Sequence, residues 1–223
     1  MALFWILLAG GCVAAAVDWF AAATSDRRLE YAAKPAVLVA LTLAAAAIPA
    51  DRIDLADRRW WFVAALACCL VGDVLLMLPR NLFVPGLVAF LAGHVLFIVG
   101  FLQPPEPPGS PPFTFSVAGL AVAAVAVVAA ESAPGVAVIR SLARRGQQAL
   151  IGPVCIYIAA IATMVVLATN VGIALAAAGA VLFLVSDTVL AVDRFVRPVC
   201  RGRLAVHVTY HLAQGLFVVS LLR

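Results

Sequence analysis

Long apolar segments make up most of this chain, and they constrain its fold more than any other feature. Hydrophobic residues account for 65% of the 223 positions and charged residues for 12%, whereas soluble domains carry about 25% charged residues. A water-soluble fold of this size could not bury so much apolar surface, so the bilayer is the natural solvent. Because a membrane span needs roughly 20 apolar residues, the chain has room for about seven or eight spans and no soluble domain.

Proline, glycine and charged residues divide the chain into eight predicted transmembrane helices. The fold class is therefore all-α, a polytopic membrane helix bundle, and residues 1–223 form a single integral membrane domain. The first apolar run lacks a basic leader and a cleavage site, so we interpret it as a span rather than a signal peptide. The predicted spans are 2–23, 33–50, 60–78, 82–102, 113–131, 148–168, 171–192 and 204–222.

The linkers between the predicted spans are short. Residues 103–112 are rich in proline and cannot be helical, whereas residues 132–147 carry three arginines and are predicted to form a surface helix. The run 148–192 is too long for a single span, so a tight hairpin is predicted near Thr169, Asn170 and Gly172.

The distribution of lysine and arginine predicts the orientation of the bundle. Eleven of the fifteen basic residues fall at the odd-numbered loops, which places those loops in the cytoplasm. We therefore expect a multi-pass protein of a bacterial-type cell membrane with both termini outside. In these loops the +4 net charge serves topology and lipid headgroups, so no nucleic-acid partner is expected. The eleven residues are Arg27, Arg28, Lys34, Arg80, Arg140, Arg144, Arg145, Arg194, Arg197, Arg201 and Arg203.

Two aspartates, Asp73 and Asp187, interrupt the apolar runs. Placing an aspartate at the centre of a membrane helix costs about 2.5 to 3.5 kcal/mol, so such residues are candidates for function. Both lie near the predicted cytoplasmic end of a helix, at similar depth. If the two carboxyl groups face each other, one would be held as an acid beside an ionised base; alternatively, each only bonds a neighbouring helix.

The two aspartate segments also resemble each other. Gly72-Asp73-Val-Leu-Leu is similar to Ser186-Asp187-Thr-Val-Leu, and in both an arginine follows the aspartate by seven residues, at Arg80 and Arg194. This pattern would fit two parallel four-helix halves, although five residues can also match by chance.

Further polar residues in the apolar runs are candidates for substrate binding. Lys34 could be a counter-ion for an aspartate, a phosphate contact, or a lysine that reaches the membrane interface. His94, Tyr157, Tyr210 and Gln214 could orient the aspartates or simply bond between helices. The i, i+4 pair His207 and His211 could chelate a metal, but no cysteine or carboxylate accompanies it at metal spacing. In contrast, Asp18, Glu131 and Asp193 lie near predicted span ends and are expected to meet water.

The ordered set of these motifs resembles the YhhN-type lysoplasmalogenase family of membrane proteins. The resemblance covers nearly the whole chain, from about residue 30 to 215, in matching order and spacing. The segments that carry it are Lys34-Pro35, Gly72-Asp73-Val-Leu-Leu-Met, Gly86-Leu-Val-Ala-Phe-Leu-Ala-Gly-His94, Ser186-Asp187-Thr-Val-Leu-Ala and Tyr210-His-Leu-Ala-Gln214.

The resemblance implies an eight-helix ether hydrolase that cleaves the vinyl ether bond of lysoplasmalogens. Asp73 and Asp187 would be the catalytic pair, and no cofactor or metal would be needed. The substrate-binding residues would be Lys34, His94, Tyr157, Ser186, Tyr210 and Gln214, with a lysophospholipid and membrane lipids as partners.

Two other function classes remain open at the level of sequence. Buried aspartates, a lysine and a parallel repeat would equally suit a proton-coupled transporter of small molecules or lipids. An intramembrane aspartyl protease is disfavoured, because Leu70-Val71-Gly72-Asp73 lacks the first glycine of the GxGD pattern. Neither the sequence nor the resemblance defines the oligomeric state.

Overall fold

The computed structural model describes residues 1–49, 56–78, 82–103 and 115–222, and within these ranges the backbone forms helices, turns and bends but no β-strand. The predicted all-α architecture is confirmed. The helices are α1 (Ala2–Thr24), α2 (Arg27–Ala46), α3 (Ala56–Met77), α4 (Phe83–Leu102), α5 (Val117–Ala130), α6 (Val136–Arg144), α7 (Ile151–Asn170), α8 (Ala174–Phe195) and α9 (Gly202–Ser220).

Seven helical stretches in the described part of the chain are long and apolar enough to cross a membrane. They are α1, α2, α3, α4, α7, α8 and the combined stretch from α5 to α6. The eighth predicted span forms α9, which packs against α8, α1 and α2. Its buried face carries His207, Tyr210, His211 and Gln214, so α9 is a polar helix of the bundle interior.

The second helix begins six residues earlier than the sequence pattern predicts. Asp26 caps it, because its carboxylate accepts hydrogen bonds from the backbone N–H groups of Arg28 and Leu29, each at 3.1 Å. Lys34 therefore lies two turns inside α2 rather than in its first turn, and its side chain points into the bundle instead of toward the interface.

The fifth predicted span differs from the structure at its end. Instead of a separate surface helix over 132–147, α5 continues through a π-helical turn at Glu131–Gly135 into α6. Pro134 lies in this turn and cannot donate a backbone hydrogen bond, and π-helical turns are frequent at functional sites. The Ser141 hydroxyl donates to the Phe195 carbonyl and ties α6 to the end of α8.

Two glycines next to candidate site residues allow α3 and α4 to pack closely. A Cβ atom at Gly72 would lie 2.7 Å from the Phe90 ring, and one at Gly93 would lie 2.8 Å from the Cys69 sulfur. Alanine at either position would force the Phe90 ring or the Cys69 side chain, or the helix that carries it, to shift. The close packing fixes the positions of the following residues, Asp73 and His94.

The predicted hairpin between the sixth and seventh spans is confirmed. Helix α7 ends at Asn170 and α8 begins at Ala174, with Gly172 at a φ of 79° in the turn. Several residues used in the sequence analysis lie outside the described residues. These are Arg80, most of the proline-rich loop 103–112, and two of the four basic residues that do not fall at the odd-numbered loops, Arg52 and Arg223.

Candidate active site

Asp73 forms a buried ion pair with Lys34. The Lys34 Nζ atom lies 2.9 Å from the Asp73 Oδ1 atom, and their side chains are 9% and 1% exposed. The Nζ atom also lies 5.8 Å from the centre of the Tyr210 ring. Of the three interpretations of Lys34, the structure supports the counter-ion. The pair compensates the cost of burying the Asp73 charge, although such pairs gain little net stability.

Asp187 differs from Asp73 in its neighbours. Tyr157 and His94 approach its carboxylate, in place of the lysine ammonium group that contacts Asp73. The Tyr157 hydroxyl donates to the Asp187 Oδ2 atom at 2.6 Å, and the His94 Nε2 atom lies 3.6 Å from the same oxygen. The other ring nitrogen of His94 is 2.8 Å from the Phe90 carbonyl. A carbonyl only accepts hydrogen bonds, so this nitrogen carries the proton, and in the neutral ring Nε2 presents a lone pair toward Asp187.

Both aspartates line one polar cavity between α2, α3, α8 and α9. The cavity encloses about 870 Å³, part of it open to the outside. The predicted catalytic pair is thus brought to one space by helices distant in the sequence. Its charged and polar lining consists of Arg27, Glu30, Lys34, Asp73, Ser186, Asp187, Asp193, Arg203, His207 and Tyr210.

A second cavity, of about 740 Å³, is almost entirely apolar. It lies between α4, the α5–α6 stretch, α7 and α8, and its lining includes Tyr157 and Glu131. Glu131 was expected near a span end, but it lies in the π-helical turn and faces this cavity. The two cavities share four lining residues, which are Leu76, Phe90, Asp187 and Leu190. Asp187 therefore stands where a polar space and an apolar space meet.

The remaining predicted site residues fall into two groups. Ser186 and Tyr210 line the polar cavity, and the Ser186 hydroxyl also donates to the Val206 carbonyl at 3.2 Å. His94 and Gln214 are fully buried and line neither cavity. His94 stands behind Asp187, and Gln214 lies beside Tyr210 and the Cys69 thiol. Both are therefore positioned to act on a lining residue rather than on a ligand.

The expectation that Asp18 meets water is wrong. Its side chain is fully buried in α1, and its Oδ2 atom lies 2.7 Å from the Nδ1 atom of His207. His207 Nε2 in turn lies 3.5 Å from Glu30 Oε1, and Glu30 pairs with Arg203. Asp193 is exposed as expected, and its carboxylate accepts from the Val199 N–H.

The sequence contained one signal for this network. Arg203, His207 and His211 recur every four residues, which places them on one face of α9. Their acidic partners come from α1 and α2, and nothing in the sequence shows that those helices contact α9. Among the described residues, no group of three or more His, Cys, Asp or Glu side chains is arranged to hold a metal ion.

Comparison with known proteins identifies the family to which this chain is related. The model of the YhhN family matches residues 29–221. Human lysoplasmalogenase TMEM86B is 31% identical over 159 residues, which are 71% of this chain and 62% of the relative. The lysoplasmalogenase of Mycobacterium tuberculosis (strain CDC 1551 / Oshkosh) is 34% identical over 177 residues, or 78% of this chain and 62% of the relative.

The chain thus matches about 62% of the length of these curated relatives. No solved structure gives a significant match. Since the family model covers residues 29–221, which is most of the chain, the chain belongs to the YhhN family.

Proposed function

We propose that this protein is a membrane hydrolase that cleaves the vinyl ether bond of lysoplasmalogens. The products would be a fatty aldehyde and a glycerophospho-ethanolamine or glycerophospho-choline. The observation that carries the proposal is the meeting of an apolar and a polar cavity at Asp187. In a lysoplasmalogen the vinyl ether joins the aliphatic chain to the polar glycerophosphate, so an amphiphile spanning both cavities presents that bond to Asp187. The names of the relatives support the same activity.

The chemistry of vinyl ethers suits a pair of carboxyl groups. Protonation of the double-bond carbon remote from oxygen gives an oxocarbenium ion, and water then adds to the carbon bonded to oxygen. The resulting hemiacetal then collapses. Its bond to the glycerol oxygen breaks, glycerophospho-ethanolamine or glycerophospho-choline leaves as the alcohol, and the aldehyde remains. The reaction requires one positioned acid and one carboxylate that stabilises positive charge and takes a proton from water, as in inverting glycosidases.

The surroundings of the two aspartates favour Asp187 as the acid. Its Oδ2 atom faces the lone pair of His94 and the Tyr157 hydroxyl, and a protonated carboxyl group is compatible with both. Its side chain is 15% exposed to the cavities, whereas that of Asp73 is 1% exposed. Asp73, paired with Lys34, is suited to remain a carboxylate that stabilises the oxocarbenium ion and activates water.

The polar cavity would hold the headgroup. The phosphate would contact Arg27 and Arg203 at the outer part of the cavity, where the Arg203 side chain is 30% exposed, whereas Lys34 is 9% exposed and paired with Asp73. The aliphatic chain would lie in the apolar cavity and enter from the membrane between helices. The basic loops on this side favour the cytoplasmic leaflet as the location of the headgroup.

A hydrolysis assay tests the proposal. Purified protein in detergent is incubated with a lysoplasmalogen, and free aldehyde is measured, with the corresponding acyl lysophospholipid as the control for specificity. We expect Asp187→Asn and Asp73→Asn each to lower the rate at least about 100-fold. Asp26→Asn is the matched control, since asparagine also caps helices well and this residue lies outside the site. Full activity in both site variants would overturn the mechanism.

The same assay separates the hydrolase from the rival transporter. A buried lysine–aspartate pair such as Lys34 with Asp73 also occurs in proton-coupled carriers. An enzyme releases aldehyde in detergent, whereas transport requires a sealed membrane. Proton-coupled uptake into vesicles, with no aldehyde released in detergent, would favour the transporter.

A further inference from the structure

A buried network of ionisable side chains lies beside the aspartate pair, and of its members only Arg203 has a role in the mechanism so far. Asp18 of α1 contacts His207 of α9 at 2.7 Å, and His207 lies 3.5 Å from Glu30 of α2. Glu30 pairs with Arg203, whose side chain is 30% exposed. The chain of contacts therefore runs from a fully buried carboxylate to the outer edge of the bundle.

The imidazole of His207 is held in a defined orientation. The contact with Asp18 fixes Nδ1 as the protonated nitrogen, so Nε2 is the nitrogen that is free to accept and release a proton. His207 lines the polar cavity together with Asp73, Asp187 and Glu30, whereas Asp18 does not. One ring nitrogen of His207 therefore contacts a carboxylate, and the other faces the cavity that holds the two aspartates. Proteins orient histidine bases in this way.

The proposed hydrolysis creates a need for such a group. In each turnover Asp187 gives a proton to carbon and Asp73 receives one from water, so the cycle ends with one proton on the wrong carboxyl group. Asp73 must lose a proton and Asp187 must regain one before the next substrate is cleaved. The ion pair with Lys34 holds Asp73 in place, and water in the shared cavity must carry the proton between them.

Resting on the proposed function, we propose that His207 is the proton-transfer group that resets the two aspartates, and that Asp18 is its positioning residue. Nε2 accepts the proton released from Asp73 through cavity water, and the imidazolium is stabilised by Asp18 on one side and Glu30 on the other. The same nitrogen then returns that proton to Asp187 through cavity water, which restores the acid for the next turnover. Only protons move, so no oxidant or further reactant is required.

The charges around His207 set the pH range in which this transfer works. Asp18 faces it from α1, Glu30 and Lys34 from α2, Asp73 from α3, and Arg203 and His211 from α9. Asp187 and Asp193 of α8 line the same cavity. Removing the imidazole should therefore change the shape of the pH–rate profile, which loss of a merely structural contact would leave intact.

The matched control is His211. It lies one turn from His207 on the same helix, is buried to the same extent, and its Nδ1 atom is 3.7 Å from Asp18. However, it does not line the polar cavity. His211→Asn therefore removes an equally buried histidine from the same cluster without removing the proposed proton-transfer group.

The experiment compares His207→Asn, His207→Ala, Asp18→Asn and His211→Asn in the aldehyde-release assay across pH, after thermal unfolding has confirmed that each variant folds. Because the reset follows cleavage, we expect His207→Asn to lower kcat and KM each about 100-fold, with kcat/KM unchanged within about threefold, and to remove one limb of the pH profile of kcat. Added imidazole should restore at least a tenth of the lost rate in His207→Ala. The kcat of Asp18→Asn should lie between those of His207→Asn and wild type, and the kcat of His211→Asn should stay within about threefold of wild type.

The outcomes distinguish failure of this inference from failure of the proposed function. Wild-type protein that releases no aldehyde from lysoplasmalogen refutes the proposed function and the proton-transfer role with it. Active wild-type protein with His207→Asn equal to His211→Asn, or with no rescue of His207→Ala by imidazole, refutes the proton-transfer role alone. If His207→Asn does not fold, the imidazole rescue and pH profile of His207→Ala decide.

Discussion

At the scale of single residues, two chemically identical side chains occupy different environments. Asp73 is paired with a buried lysine, whereas Asp187 faces a tyrosine hydroxyl and a histidine lone pair. Environment rather than residue type therefore separates the proposed base from the proposed acid. The sequence placed both aspartates in apolar helices but left open which one would be the acid.

The ion pair between Lys34 and Asp73 leads to a stability prediction. Lys34→Met leaves the Asp73 carboxylate buried without its cation, and breaking a buried pair in this way costs about 3 to 5 kcal/mol. The double variant Lys34→Met with Asp73→Leu removes both charges and should recover most of that loss, yet remain inactive. The thermal midpoints of the two variants in detergent, compared with wild type, measure the difference. Equal midpoints for Lys34→Met and wild type would contradict the pairing.

At the scale of elements, the stretch from α5 to α6 determines the shape of the apolar cavity. Its π-helical turn at Glu131–Gly135 keeps one continuous helix while placing Ala130, Pro134 and Val138 along the cavity wall. Helix α8 forms the opposite wall through residues that include Ala191. The sequence pattern ended the fifth span at residue 131, because proline and glycine normally terminate helices.

This cavity leads to a prediction about chain length. In Ala191→Phe the larger side chain occupies part of the apolar cavity, so we expect KM to rise about tenfold for a long-chain lysoplasmalogen. A short-chain analogue should be affected less than threefold, because it leaves that part of the cavity empty. Ala159→Phe is the control, since Ala159 is exposed on the outer face of α7. Equal effects on both substrates would show that the chain binds elsewhere.

At the scale of the whole molecule, the bundle encloses its polar residues and turns apolar ones outward. Exposed large side chains such as Val117, Val125 and Val128 form a lipid-facing surface on α5. The described basic residues that close the opposite end are anchored, since Arg58 donates to the Gly100 carbonyl at 3.0 Å and Arg59 to that of Ile48. The polar cavity opens at the end that carries Arg27 and Arg203.

We predict that the end of the bundle with Arg27 and Arg203 faces the cytoplasm and that both chain termini lie on the outer side. The reason is that short loops rich in lysine and arginine remain on the cytoplasmic side. Alkaline phosphatase, which matures outside the cytoplasm, should be active when fused to the C-terminus, whereas a cytoplasmic fluorescent reporter should stay dark there. A fluorescent fusion at the C-terminus would reverse the assigned orientation and place the headgroup cavity on the other leaflet.

The sequence by itself determined the membrane bundle, the hairpin at Gly172 and the presence of two aspartates within apolar helices. These follow from local properties, since span length, turn residues and the cost of a buried charge can all be assessed along the chain. It did not reveal that Lys34 pairs with Asp73, because the helix start depends on the Asp26 cap.

Only the tertiary structure decided which helices share a cavity. The position of Asp18 near a span end predicted contact with water. In the folded bundle α1 packs against α9, and Asp18 contacts His207 at 2.7 Å. Asp187 became the meeting point of two cavities only because α3, α4 and α8 converge there. Contacts between helices depend on how whole surfaces pack together, and the apolar faces of this chain are too alike to specify their partners locally.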